Sequence, residues 1–253
     1  MRVIQVKLPK LIAHRGYPHR FPENSLAGFA AAIAAGARFI EVDVQLSADG
    51  VPVLFHDRTL ARVSGQPGGV HEYSLQDLAK FHASERERFG EQFAQTPIAR
   101  LNQLVELLTE MPQVGVFVEL KRVSIEQFGA QRMAHQVLPL LMPLSGRCVV
   151  ISFSLDALAA VRGQGWAAIG AVINDWSECN QAVVDELKPE YLFCRIAGLP
   201  SQGELVYPHG QVAVFATADP EEVRRLAQRG AQFVETDNIG ALHDALAQQD
   251  SGA

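Results

Sequence analysis

The sequence has little cysteine, no excess of basic charge and no long uninterrupted apolar run. Its three cysteines, Cys148, Cys179 and Cys194, include no CxxC pair and are odd in number, which excludes a disulfide framework and favours a reducing, cytoplasmic compartment. The formal net charge is -6, so the chain lacks the broad basic surface that binds nucleic acid. The longest charge-free apolar stretch, residues 26–37, is far shorter than the roughly 20 residues of a membrane-spanning helix, so we expect no membrane insertion.

Short apolar runs alternate regularly with longer helical segments along the chain. This alternation is typical of consecutive βα units around a parallel sheet, whose strands are buried on both faces. The predicted strands are residues 10–13, 39–46, 114–120, 148–153, 168–173, 191–195, 212–216 and 231–236. The predicted helices include residues 25–35, 125–141, 155–162, 177–187 and 221–229.

About eight such units in a chain of 253 residues predict an α/β fold of the closed (β/α)8 TIM barrel type. A doubly wound open sheet is the alternative, but it usually has fewer strands and a glycine-rich phosphate turn. Residues 58–97 interrupt the alternation, since they are polar, rich in glycine and without a clear strand. We therefore predict a single domain over residues 1–253, with an insertion at about 58–97 after the second strand. Its charged run 85–88 is predicted to face solvent.

Polar side chains close the first two predicted strands. His14 and Arg15 come directly after residues 10–13. Glu41 and Asp43 alternate with valines inside the second strand, so both carboxylates are expected to face the barrel interior. Because TIM barrels carry their active sites at the carboxyl ends of the strands, these side chains are candidate functional groups.

Two further groups are expected to reach the same end of the barrel. The Asp49-Gly50 turn predicts a hairpin, and the apolar run after it ends in His56. The strand at residues 114–120 carries Glu119. Lys121 lies two residues later, so its side chain is expected to point to the same side of the sheet.

The chemistry of these groups is complementary. Carboxylates bind a hard divalent cation such as Mg²⁺ or Ca²⁺, cationic side chains bind phosphoryl oxygens, and imidazoles transfer protons in both directions. The combination favours phosphodiester chemistry. The predicted metal ligands are Glu41, Asp43 and Glu119, the phosphate-binding residues are Arg15 and Lys121, and the proton-transfer residues are His14 and His56.

Each group also has a purely structural interpretation. A single histidine at a strand end is more often a hydrogen-bonded structural residue. Glu41 and Asp43 could pair with cations across the barrel mouth, and Glu119 and Lys121 could pair with each other. The functional interpretation is favoured because four separate strand ends supply complementary groups at one face.

Several short strings occur along the chain in a characteristic order. They are HRG (14–16), PENS (22–25), EVD (41–43), DG (49–50), HDRTLARVSG (56–65), PIARL (97–101), ELK (119–121), SF (152–153) and VETD (234–237). In this order and spacing they resemble the glycerophosphodiester phosphodiesterase family, and the resemblance extends over essentially the whole chain.

The resemblance implies a (β/α)8 barrel whose insertion caps the glycerol end of the site. It implies metal-dependent hydrolysis of glycerophosphodiesters, such as glycerophosphocholine or glycerophosphoethanolamine, to glycerol 3-phosphate and an alcohol. It assigns the metal ligands, phosphate-binding residues and acid/base histidines to the residues named above. The nucleophile stays open between water and the glycerol's own hydroxyl, which would react through a cyclic phosphate.

Two segments depart from the family pattern. Residues 215–218 read Phe-Ala-Thr-Ala, where the family usually has an aromatic-Thr-Val-Asn stretch. Of this segment, only the aromatic Phe215 matches the family pattern as a candidate substrate-pocket residue. Residues 83–89 likewise differ from the family's Gly-Ser-Trp-aromatic stretch.

Two other functions stay open. A related phospholipase-type phosphodiesterase usually acts outside the cell at a membrane surface, and the chain has no obvious docking segment for one. A catalytically silent glycerophosphodiester-binding protein would be expected to have lost a histidine or a metal ligand, and this chain has lost neither. The expected partner is a small-molecule glycerophosphodiester, and a homo-oligomer is left open.

Overall fold

The computed structural model describes residues 7–250, which form nine strands and eleven α-helices. The strands are β1 (Lys10–Ala13), β2 (Phe39–Leu46), β3 (Pro52–Leu54), β4 (Gly115–Leu120), β5 (Cys148–Ser152), β6 (Ile169–Ile173), β7 (Tyr191–Arg195), β8 (Gln211–Phe215) and β9 (Phe233–Thr236).

The helices alternate with these strands, and short 3-10 turns supplement them. The α-helices are α1 (Leu26–Ala34), α2 (Ala61–Ser64), α3 (Leu75–Leu78), α4 (Arg86–Phe89), α5 (Leu101–Thr109), α6 (Arg122–Phe128), α7 (Ala130–Leu141), α8 (Leu155–Gly163), α9 (Ala182–Leu187), α10 (Pro220–Gln228) and α11 (Ile239–Asp250). The 3-10 turns are Val70–Glu72, Met142–Leu144, Trp176–Asn180 and Ile196–Gly198.

Every strand except β3 belongs to a closed parallel barrel in the order β1-β2-β4-β5-β6-β7-β8-β9, and β9 returns to β1. The seam between β1 and β2 is short, with only two paired positions, Ile12 with Phe39 and Ala13 with Ile40. The hairpin strand β3 runs antiparallel beside the carboxyl end of β2. The predicted (β/α)8 barrel and the predicted hairpin are therefore confirmed.

Two of the predicted helices are each divided. The segment 125–141 contains the end of α6 and all of α7, because Gly129 adopts φ +83°, a left-handed conformation that ends a helix. The segment 177–187 contains part of a 3-10 turn followed by α9, with Gln181 extended between them. By contrast, α10 agrees with its predicted range to within one residue, with Asp219 as its N-cap and Pro220 as its first residue.

Aromatic rings fill the barrel interior. Phe117 on β4 is 1% exposed and lies 5.1–6.2 Å, ring centroid to ring centroid, from four other rings. These rings belong to Phe39, Tyr191, Phe193 and Phe233. Edge-to-face contacts of this kind favour one fixed arrangement of the rings. The interior is therefore a packed core that closes the barrel beneath its carboxyl end.

Residues 58–97 contain α2, α3 and α4 and pack over β3 on a small apolar core of their own. The charged run 85–88, predicted to face solvent, is only partly exposed, and that prediction is wrong for Glu85. Glu85 is 2% exposed because it accepts a hydrogen bond from the backbone N–H of Glu23 at 2.7 Å and pairs with Arg88. The pattern of charges in the sequence could not show the contact with Glu23, because Glu23 lies far from Glu85 in sequence.

Among the described residues, no helix combines the length and apolar character needed to cross a bilayer.

Replacing Phe117 by Ala is expected to lower the free energy of unfolding by about 3–5 kcal/mol, because the ring is deeply buried among other rings. Urea denaturation followed by circular dichroism measures this change. Val206→Ala is the control, since Val206 is 65% exposed, and its effect should stay within about 0.5 kcal/mol. Similar unfolding midpoints for the two variants would contradict a central role for the ring core.

Candidate active site

A cavity of about 970 Å³ opens at the carboxyl ends of the barrel strands. It brings together all but one of the predicted site residues. Those that line it are His14, Arg15, Glu41, His56, Glu119, Lys121 and Phe215. The remaining one, Asp43, lies beneath the cavity floor and is 1% exposed. Glu41 and Asp43 both face the barrel interior, as their alternation with valines on β2 predicts.

Asp43 is fixed from several sides. Its Oδ2 accepts a hydrogen bond from the Asn24 side chain at 2.9 Å, and its backbone N–H donates to Asn24 Oδ1 at 3.1 Å. Arg15 Nε lies 3.1 Å from Oδ2, and Lys121 Nζ lies 3.0 Å from Oδ1. Burial raises the pKa of Asp43, but Lys121 and Arg15 outweigh burial and hold that pKa well below its ordinary value. Asp43 is therefore a fixed negative charge.

Buried acids form a four-carboxylate cluster around this charge. Its members are Glu41, Asp43, Glu119 and Glu235. Glu119 pairs with Lys121 Nζ at 2.9 Å, so the pairing of these two residues considered from the sequence does occur. Of the described lysines and arginines, only Arg15 and Lys121 form ion pairs with the cluster.

The shortage of cations shows in the pKa values of two members. Burial, together with the repulsion of Asp43 and Glu235, raises the pKa of Glu41 well above its ordinary value. Burial likewise raises the pKa of Glu235 to about 7, although His14 opposes that rise. Neighbouring carboxylates in a poorly hydrated site resist ionising together.

This cluster has the chemistry of a site for a hard cation. Ligand oxygens of Glu41, Asp43 and Glu119 all lie within 4.8 Å of one another. Glu41 Oε1 is buried and has no hydrogen-bond partner among the described residues. An all-oxygen donor set with surplus negative charge suits a divalent metal ion. The predicted ligand residues therefore fit a metal.

Each site histidine is held by a carboxylate. His14 Nδ1 lies 2.7 Å from Asp237 Oδ1, and His56 Nδ1 lies 2.7 Å from Asp57 Oδ1. Because a carboxylate only accepts hydrogen bonds, both Nδ1 atoms donate, and Nε2 is the ring nitrogen left for other chemistry. Burial lowers the pKa of His14, but the Asp237 and Glu235 carboxylates together raise it by more than burial lowers it. The net shift of the His14 pKa is therefore upward.

A second network links the insertion to the site. Arg62 of α2 binds Asp57 through two hydrogen bonds of 2.7 and 2.8 Å, and it binds Glu23 through two of 2.9 and 2.7 Å. The side-chain amide of Gln45 donates to the carbonyls of Phe55 and Asp57. These contacts fix the backbone that carries His56. Of residues 58–97, only Arg58 and Thr59 line the main cavity, so the insertion mainly supports the site from behind.

Sequence reasoning did not assign a role to several residues that the structure brings into the site. They are Glu23, Asn24, Asp57, Arg62, Glu235 and Asp237. Glu235 lies on β9, and Asp237 follows with the same spacing of two that selects Glu41 and Asp43. The rule applied to β2 could therefore have found both acids. Asn24 and Arg62 carry no such signal, since their partners lie on distant segments.

The far side of the cavity carries different side chains. Phe215, predicted as a pocket residue, ends β8 and meets Phe153 edge to face with ring centroids 6.3 Å apart. The Arg122 guanidinium lies over the Phe153 ring, 4.9 Å from its centroid. Arg195, the last residue of β7, also lines this side.

The chain is similar to proteins of one known family. A family model described as the glycerophosphoryl diester phosphodiesterase family matches residues 14–241. A glycerophosphodiester phosphodiesterase of Bacillus altitudinis is 31% identical over 152 residues, 60% of this chain and 61% of the relative. Glycerophosphodiester phosphodiesterase 1 of Rattus norvegicus is 35% identical over 183 residues, 70% of this chain and 54% of the relative. The matches thus span less than two thirds of these relatives.

A solved structure supports the fold. An Oleispira antarctica phosphodiesterase, determined in complex with its product sn-glycerol-3-phosphate, superposes with a TM-score of 0.80 at 23% identity. The superposition covers 95% of this chain and 97% of that one. Since the family model spans most of the chain and contains every predicted site residue, the chain belongs to the glycerophosphoryl diester phosphodiesterase family.

Proposed function

We propose that this protein hydrolyses glycerophosphodiesters to glycerol 3-phosphate and an alcohol, with the help of a divalent metal ion. The observation that carries the proposal is the convergence on one cavity of two carboxylate-held histidines, two cationic side chains and an oxygen-ligand cluster. Family membership and the names of the relatives support the same reaction.

Arg15 and Lys121 neutralise the phosphoryl oxygens in this proposal. Both line the cavity, and the carboxylates of the cluster hold both in place. Burial opposes their positive charges, but the surrounding carboxylates, Asp43 foremost, together outweigh burial and raise the pKa of each above its ordinary value. Both therefore stay cationic where negative charge develops on the phosphoryl group.

His14 and His56 transfer the protons. One takes a proton from the attacking oxygen, and the other gives a proton to the leaving alcohol. Asp237 and Asp57 fix the Nδ1–H tautomers and stabilise the positive charge that each ring carries in turn. Either water or the glycerol hydroxyl can be the attacking group in this arrangement.

Glu41, Asp43 and Glu119 would hold Mg²⁺ or Ca²⁺. When bound, such an ion supplies Lewis-acid stabilisation of charge on the phosphoryl oxygens. Lys121 and Arg15 keep Asp43 ionised, and Asn24 orients its carboxylate for this role. The cluster has more carboxylates than cationic side chains, and a divalent ion would balance this surplus negative charge.

We further propose a cytoplasmic location and a small-molecule glycerophosphodiester as the partner, with neither nucleic-acid binding nor membrane insertion. The three cysteines are free thiols in the structure, and two of them are buried, which suits a reducing compartment. Assembly into a homo-oligomer stays a prediction.

Purified protein with Mg²⁺ or Ca²⁺ is expected to release glycerol 3-phosphate from glycerophosphocholine, and His14→Ala is expected to reduce kcat by about 10²- to 10⁴-fold, since it removes a proton-transfer group. A coupled glycerol 3-phosphate assay measures both. His135→Ala, on the exposed side of α7, is the matched control and should keep full activity. No release by correctly folded wild-type protein from any glycerophosphodiester would favour a phospholipase-type activity or a silent binding protein.

Mg²⁺ or Ca²⁺ is expected to raise the Tm of the wild-type protein, because a ligand that binds only the folded state at 100 times its Kd stabilises that state by about 2.7 kcal/mol. Glu119→Gln should lose most of this rise in differential scanning fluorimetry. Glu126→Gln is the control, since Glu126 is an exposed acid outside the cluster, and it should keep the rise. Equal metal-induced shifts in the two variants would place the metal elsewhere.

Asp237→Asn is expected to lower kcat on the order of 10²-fold with little change in KM, because it weakens the orientation and charge stabilisation of His14 without removing a residue that lines the main cavity. Steady-state kinetics on glycerophosphocholine separates the two constants. Asp244→Asn, beside the exposed His243, serves as the control. A pure KM effect would assign Asp237 to substrate binding instead.

A further inference from the structure

All the carboxylates that line the cavity come from one side of the barrel. The carboxylates that line it are Glu41, Asp57, Glu119 and Glu235, which come from β2, the segment after β3, β4 and β9. The opposite side begins just after β4, and its strands β5 to β8, which are neighbours in the barrel, contribute no carboxylate to the lining. Its cavity-lining side chains include Arg122, Phe153, Asn174, Arg195 and Phe215, which together we name the arginine rim. Each lies at or just after the carboxyl end of a different strand.

Two arginines of this rim have no ion-pair partner. Arg122 and Arg195 are exposed, and neither forms an ion pair with any described residue. Arg58, which lines the same mouth, is already paired with Glu126 at 2.6 Å. Both unpaired guanidinium groups are therefore available to a ligand.

The two acids that follow Asn174 in sequence are already engaged. Asp175 accepts hydrogen bonds from the backbone and the hydroxyl of Ser177, and Glu178 accepts from the backbone N–H groups of Asn174 and Asp175. Neither carboxylate lines the cavity. Between β5 and β8 the mouth thus presents positive charge and no cavity-lining carboxylate that could bind an ammonium.

The aromatic rings of the rim do not form an open cage for a cation. Two phenylalanines could in principle hold a quaternary ammonium against their faces. The Arg122 guanidinium, however, already lies over the Phe153 ring at 4.9 Å. A second cation there would meet like charge, whereas an anionic group would be attracted.

We propose that the arginine rim selects glycerophosphodiesters whose alcohol part carries an anionic group, a carboxylate or a second phosphate. Arg122 and Arg195 bind that group, Asn174 adds a neutral hydrogen-bonding side chain, and Phe153 and Phe215 pack against the carbon skeleton of the alcohol. This inference rests on the proposed function and names the substrate class for the same site.

Two matched pairs of substrates test this selection, since the members of each pair differ by the anionic group alone. Glycerophosphoserine against glycerophosphoethanolamine isolates a carboxylate, and glycerophosphoinositol 4-phosphate against glycerophosphoinositol isolates a phosphate. The wild-type protein is expected to show a kcat/KM ratio of about fivefold in favour of the anionic substrate in at least one pair, the upper end of what one contact between exposed charges contributes. That ratio should fall as the salt concentration rises, because exposed charges are screened.

The double variant Arg122→Gln with Arg195→Gln is expected to bring that ratio close to one. Each single variant is also compared with the control Arg38→Gln, which removes one such charge from an exposed position just before β2, at the opposite end of the barrel. The control should keep the wild-type ratio. Ratios near one in the wild type, or a ratio that survives the double variant, would overturn the inference.

Glycerophosphoglycerol, whose alcohol part is uncharged, tests the proposed function separately. If the wild type hydrolyses it but shows no preference in either pair, only the arginine-rim inference is overturned. If the folded protein hydrolyses none of the five substrates with Mg²⁺ or Ca²⁺, the proposed function and the inference are both overturned.

Discussion

Negative charge concentrated in a poorly hydrated place is the constraint on which the rest of the site depends. The four-carboxylate cluster would be strongly unfavourable with every member ionised and unpaired. Arg15 and Lys121 meet Asp43, which stays ionised, while Glu41 and Glu235 have raised pKa values. The same imbalance makes the cluster suitable for a divalent cation. The need to balance the charge of the cluster thus explains both why Arg15 and Lys121 lie beside it and why it can hold a metal ion.

Much of the fold follows from the sequence, because parallel barrel strands are buried on both faces and appear as continuous apolar runs. β1, β2 and β7 have the predicted boundaries, and the inward spacing of two on β2 selects Glu41 and Asp43 correctly. Contacts between distant segments could not be predicted in this way. Glu85 looks like part of a solvated charged run, yet it is buried because the backbone of Glu23 binds it. The break at Gly129 likewise depends on a backbone angle that periodicity does not show.

The proposed chemistry and the proposed selectivity lie on different halves of one barrel. The carboxylates and histidines come from β9, β1, β2, β4 and the segment after β3, whereas most of the arginine rim comes from β5 to β8. Because each rim residue lies at or just after the carboxyl end of its own strand, a change at one strand end alters contacts to the alcohol and leaves the acid/base pair in place. The departure at residues 215–218 falls in the selective half, which is consistent with a change of substrate rather than a loss of activity.

Because the backbone pairing between β1 and β2 is short, side chains of the site also help to join these two strands. The two strands share only two paired positions, yet the Arg15 backbone N–H donates to Glu41 Oε2 at 3.1 Å and Arg15 Nε meets Asp43 at 3.1 Å just beyond them. These contacts continue the seam past the point where the ladder of backbone hydrogen bonds stops. The groups proposed for catalysis therefore also hold β1 and β2 together at the carboxyl end of the barrel.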